Sequence, residues 1–133
     1  MLDTSSLRNA IDRLREAVAR CAREPEDEQL RDGLIQRFEF TYELSQKTLR
    51  RYLREIAASP EEIDRMPFAD VIRTANGAGL LQGDWPAWRR FREMRARTSH
   101  TYDRQSAAEI AAAIPAFVAE AEHLCGELER RRS

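Results

Sequence analysis

Ile35-Gln36-Arg37-Phe38-Glu39-Phe40-Thr41-Tyr42-Glu43-Leu44-Ser45-Gln46-Lys47-Thr48-Leu49 carries the decisive pattern of this chain. With Leu30, Leu34, Leu53 and Ile56 on either side, Ile35, Phe38, Tyr42 and Leu49 recur at helical spacing, not with the alternation of a strand. Their stripe is wide, as in a helix that packs against more than one neighbour. The run extends from about Glu28 to Ala58 and ends at Ser59-Pro60, because proline cannot continue a helix. A long helix with several neighbours predicts a bundle.

The flanking segments agree. Leu7, Ile11, Leu14 and Val18 predict a first helix, with Thr4, Ser5 or Ser6 available as N-cap. The charged run Arg23-Glu24-Pro25-Glu26-Asp27 closes it. Beyond the long helix, Pro67 is placed to begin a shorter one through Ala75, which Asn76-Gly77-Ala78-Gly79 ends. Asp84 can cap a fourth helix with Pro86 in its first turn and Trp88, Phe91 and Met94 facing inward. Ser106 and Glu109 have the capping-box spacing for a fifth, through Ile114, Phe117, Ala121, Leu124 and Leu128. Pro115 should kink or split that last run. With no convincing strand, repeat or low-complexity linker, the expectation is all-α. It is an up-and-down bundle of four main helices plus a short extra one, forming one domain over residues 1–133.

The charge balance narrows the function. The 22 basic and 23 acidic side chains leave a formal net charge of −1. Any contact with nucleic acid must therefore come from a local patch. Cys21 and Cys125 lack metal-ligand spacing and are too few for a disulfide scaffold, which suggests buried free thiols in a reducing compartment. The N-terminus has no apolar signal region and no stretch approaches membrane-spanning length. The expectation is a soluble cytoplasmic protein without a membrane partner.

The chemistry concentrates in Arg95-Ala96-Arg97-Thr98-Ser99-His100-Thr101-Tyr102. A group that titrates near neutrality, fixed positive charge and a phenol are the equipment for handling a phosphodiester. The plainer reading is a helix end whose Arg and His favour the negative end of the dipole. Arg89, Arg90, Arg92, Arg95 and Arg97 make this helix locally basic. Arg95 and Tyr102 fall nearly in register with Phe91 and Thr98, while Arg90 and Arg97 share another side. An inward arginine needs an acid or a phosphate, and Glu39 and Glu43, one turn apart, are the obvious internal partners.

Arg95 and His100 diverge by about 140° on a straight helix. They converge only if the helix ends between them or a second subunit completes the site. A homodimer through this helix would line one cleft with two such pairs. There arginine would hold phosphate oxygens while histidine relayed a proton from a ribose 2′-hydroxyl. That is a metal-independent ribonuclease mechanism, with no cofactor expected. His123 has no neighbouring motif, Trp85 and Trp88 fall at packing spacing, and the charged faces of the first and last helices are expected to be solvated.

Three separated motifs together resemble the nucleotidyltransferase substrate-binding protein family, a branch of the HEPN superfamily. They are the Ile35–Leu49 run, Ala75 to Leu80 with Trp88, and Arg95 to Tyr102, and the likeness spans about residues 5 to 128. The resemblance implies a small helical bundle that forms homodimers and assembles with a minimal nucleotidyltransferase, its antitoxin-like partner. Related HEPN proteins are toxin ribonucleases whose signature is arginine, four residues, histidine, one residue, tyrosine. Arg95, His100 and Tyr102 match it position by position. By that likeness Arg95 and His100 would be the catalytic pair acting on RNA, and Tyr102 the hydroxyl that receives AMP. Glu39 and Glu43 would support them. The residue after the arginine is usually polar, most often asparagine, and here it is Ala96, which cannot orient an arginine or a phosphate by hydrogen bonding. The alternative is therefore a catalytically inactive subunit that binds nucleotide or substrate for the transferase.

Overall fold

A computed structural model describes residues 2–100 and 103–131. The helices are α1 (Ser5–Arg23), α2 (Glu28–Ile56), α3 (Pro60–Arg65), α4 (Phe68–Gly77), α5 (Trp85–Arg97) and α6 (Arg104–Arg131), with a 3-10 turn at Thr98–His100 between the last two. Among the described residues there is no strand, and the all-α, HEPN-like fold expected from the sequence is the fold observed. The wide stripe of α2 has its explanation: this helix packs against α1, α3, α4, α5 and α6. Its N-terminus is capped by Asp27, whose carboxylate accepts the Leu30 N–H at 3.0 Å. Asp84 caps α5 by accepting the Trp85 N–H at 2.8 Å.

Several boundaries differ from the sequence reading. α2 ends at Ile56, short of the expected Ala58, with Ala57 already extended, and Pro60 starts α3, because proline at the first helical position loses no hydrogen bond. The last helix starts at Arg104 rather than Ser106. Asp103 precedes it, accepting the Gln105 N–H at 3.1 Å and the Ser106 hydroxyl at 3.3 Å. Pro115 lies inside α6 without splitting it. Cys125 is buried as expected, but Cys21 is only half-buried, and both thiols are free.

Phe117 of α6 organises the centre. Its ring lies 5.2 Å from Phe38 and 5.4 Å from Phe91, both edge-on, and about 6 Å from Tyr42 and Trp88. One aromatic side chain thus ties α2, α5 and α6 together. Leu7, Ile11 and Leu14 extend the same core to α1.

The connection between α4 and α5 is fastened to α6. The buried Glu120 carboxylate accepts the Gln82 N–H at 2.8 Å and the Gly83 N–H at 2.6 Å. His123 Nε2 lies 3.3 Å from the Gly79 carbonyl oxygen, and Arg131 donates to the Ala78 carbonyl at 2.7 Å. Gly79 takes a positive φ of 80°, which glycine adopts without strain. A Cβ at Gly83 would sit 2.7 Å from Glu120 Oε2, so only glycine lets the carboxylate approach these amides. Glu120→Ala is expected to destabilise the protein by about 1–3 kcal/mol, because it removes two charge-assisted bonds from a buried carboxylate to the Gln82 and Gly83 N–H groups. Urea unfolding measures this, and a loss below about 0.5 kcal/mol, the ordinary scatter of surface changes, would show the clasp to be dispensable.

The charged faces of α1 and α6, expected to be solvated, partly meet each other. Arg8 reaches Glu122 at 2.6 Å and Glu129 at 2.9 Å, and Arg15 also pairs with Glu122.

Candidate functional site at the end of α5

Arg95 lies on the last turn of α5, on the side that meets α2. Its Nη1 is 3.3 Å from Glu39 Oε2 and donates to the Thr98 hydroxyl at 3.0 Å, while Nη2 donates to Glu43 Oε1 at 2.7 Å. The Thr98 hydroxyl donates in turn to the Arg95 carbonyl at 2.6 Å. Glu39 and Glu43 stand one turn apart on α2, and together they grip the guanidinium from one side. Its Nε is buried with no hydrogen-bond partner among the described residues.

The magnitude of this grip decides between a structural staple and a presented group. The Arg95 side chain retains 30% of its exposure, Glu39 34% and Glu43 52%. Pairs this open to water contribute about 0–1 kcal/mol each, whereas a buried ion pair whose partner is removed costs about 3–5 kcal/mol. Arg95 is therefore held in place more than it holds the fold.

The α-helix ends at Arg97, between Arg95 and His100, and the chain tightens into the 3-10 turn. Thr98 is buried at the start of that turn, and His100 is exposed at its end. Among the described residues, no hydrogen bond or ion pair joins His100 to Arg95. Tyr102 lies outside the described residues. Ala96 is exposed, and its carbonyl accepts the Ser99 hydroxyl at 3.0 Å.

The basic character of α5 is partly compensated. Arg89 pairs with Glu93 at 3.2 Å and Arg97 with Glu109 at 2.9 Å, while Arg92 lies over the Phe68 ring at 5.8 Å. The hydrogen bond from Arg97 holds the Glu109 carboxyl below its ordinary range, with Gln105 assisting. Beneath the site, burial pushes the Tyr42 phenol up to about 12, against the opposing pull of Arg92 and Arg95. Tyr42 is therefore neutral near physiological pH and serves as packing.

Glu120 and its amide partners were not singled out from the sequence, although they fix the start of the helix that carries Arg95. A signal was present. Glu120 falls on the inward stripe with Phe117, Ala121 and Leu124, where a carboxylate needs a dedicated partner. His123 and Trp88 have the packing roles expected of them, one against the Gly79 carbonyl and the other in the core.

Residues 2–130 match a family described as nucleotidyltransferase substrate binding protein like. Over 99 residues the chain is 41% identical to a Haemophilus influenzae protein named probable ribonuclease HepT, spanning 74% of this chain and 67% of that one. Its fold also matches a Haemophilus influenzae structure described as revealing the fold of a substrate binding domain of a nucleotidyltransferase. That match has a TM-score of 0.89 and 33% identity, over 96% of this chain and 99% of the other. A Thermus thermophilus crystal structure matches with a TM-score of 0.71 and 32% identity, over 92% and 98% of the two chains.

Proposed function

We propose a function from one premise: this chain belongs to the nucleotidyltransferase substrate binding protein like family. It is a single helical domain that partners a minimal nucleotidyltransferase in the cytoplasm and acts as a toxin-like, metal-independent ribonuclease. The observation that carries this reading is the end of α5. Arg95 is held there partly in solvent by Glu39, Glu43 and Thr98, and the helix stops just before it would carry His100 away. Two copies related by a two-fold axis would face each other through these segments and share one cleft. In it Arg95 binds the phosphate. His100 takes the proton of a ribose 2′-hydroxyl as that oxygen attacks phosphorus, the bond to the 5′-oxygen breaks, that oxygen leaves as a hydroxyl with the relayed proton, and a cyclic phosphate remains. The name of the Haemophilus influenzae relative, probable ribonuclease, supports this reading.

Silencing by adenylylation at Tyr102 is part of the same reading and rests on the family resemblance. The Tyr102 hydroxyl attacks the α-phosphorus of ATP in the transferase site, and pyrophosphate leaves. The AMP phosphate then occupies the position that an RNA phosphate needs beside Arg95. A second reading, an inactive substrate-binding subunit, is favoured by Ala96, which supplies no side-chain hydrogen bond next to Arg95.

Incubation with the cognate transferase, ATP and magnesium is expected to add one AMP to the wild-type chain and none to Tyr102→Phe. Intact-mass spectrometry reads this directly, and light scattering of the unmodified chain is expected to give a dimer. An unchanged mass with an active transferase leaves the inactive subunit as the better account.

A further inference from the structure

Helices α1 and α2 enclose an open groove of about 610 Å³ that neither Arg95 nor its partners line. Asn9 and Arg13 of α1 border it, together with Gly33, Gln36, Arg37 and Phe40 of α2. Phe40 is 62% exposed, an apolar ring left in water on a helix that buries Phe38 completely. Arg37 is aimed across the groove, donating from Nη1 to the Arg13 carbonyl at 2.9 Å. Among the described residues, no carboxylate lines this groove, in a chain with more acidic than basic side chains. The contrast with the crevice between the α1–α2 turn and α6 is instructive. That space, about 650 Å³, also has two arginines, Arg31 and Arg104, but Glu26, Asp27 and Glu28 cancel them.

The α1–α2 groove thus combines uncompensated positive charge, amide groups able both to donate and to accept, and one exposed aromatic face. Gly33 faces open space, where a Cβ would meet nothing within 4 Å. Phosphate calls for the arginines, and a planar heterocycle calls for the ring and the amides. The volume lies in the range of small-molecule sites. We propose that this groove binds a nucleotide unit, its base stacked on Phe40 and edge-bonded by Asn9 and Gln36, its phosphate held by Arg13 and Arg37. The site is separate from the Arg95 cluster and does not depend on what that cluster does. The unit can be a free nucleotide or one residue of a single strand.

Two probes distinguish these sources: AMP by calorimetry, and a short 2′-O-methyl oligoadenylate by fluorescence anisotropy. The second cannot be cleaved through a 2′-hydroxyl, so failure here and failure of the ribonuclease reading appear in different measurements. Phe40→Ala is expected to weaken whichever probe binds by about tenfold or more, as loss of one stacked base does. Arg13→Ala is expected to weaken it as well. For the strand, it should also reduce the salt dependence by about 0.7 in log–log slope for each phosphate that is no longer neutralised. Both side chains are exposed, and circular dichroism confirms that the variants fold. Binding of AMP supports the free ligand, and binding of the strand alone supports a nucleic-acid path. The proposal is overturned if neither probe binds or if Phe40→Ala binds as wild type does. It is also overturned if Phe40→Ala binds neither probe and halves the particle mass in light scattering, which would make this face a contact between copies.

Discussion

Replacement of His100 by alanine is expected to lower RNA cleavage by about two to four orders of magnitude, the range that general acid–base groups supply. The thermal midpoint should stay where it is, because His100 is exposed and no described residue bonds to its side chain. Arg95→Ala should reduce cleavage comparably and also weaken RNA binding. Its stability loss should stay near 1 kcal/mol, since the pairs to Glu39 and Glu43 are open to water. The assay is cleavage of a labelled oligoribonucleotide, with the cyclic phosphate end identified by mass. Equal rates for wild type and His100→Ala would remove the histidine from the mechanism. A stability loss of several kcal/mol for Arg95→Ala would make it a staple between α2 and α5.

The largest effect on stability is expected at Phe117. Truncation to alanine should cost about 3–5 kcal/mol, because it opens a cavity among Phe38, Tyr42, Trp88 and Phe91 where no single neighbour can fill the space. Phe117→Leu keeps most of the volume and should lose less than half as much. Urea denaturation gives both values. A similar cost for Phe40→Ala would contradict this packing, since that ring lies in solvent.

The sequence made the helices legible because their apolar periods are long and their caps are explicit. Asp84 and the Gly77–Gly79 segment each mark an end where the structure has one, whereas Asp27, read as part of the run that closes α1, caps α2 instead. It hid α3, because a proline after a serine reads equally as a stop and as a first turn. The pairing of Arg95 with Glu39 and Glu43 was foreseeable from charge on inward faces. The helix end at Arg97 was foreseeable only as one of two ways to reconcile Arg95 with His100. Glu120 escaped because a single carboxylate on an apolar stripe looks like noise until its amide partners, 37 and 38 residues away, are seen. The α1–α2 groove escaped for a related reason. Its charge and its aromatic ring come from two helices, and neither helix alone shows that Arg13 and Phe40 border the same space.

The contact between Arg95 and its two glutamates makes any anion's arrival an exchange. The guanidinium already carries its counter-ions, so a phosphate that takes its place releases carboxylates into water. The net gain is the difference between two similar ion pairs, and it is small. Charge alone is then a poor reason to remain at this site. An adventitious anion is traded away as easily as it arrives, while a ligand that engages several groups at once alters the terms of the trade. Discrimination is thereby displaced from the arginine to whatever surrounds it.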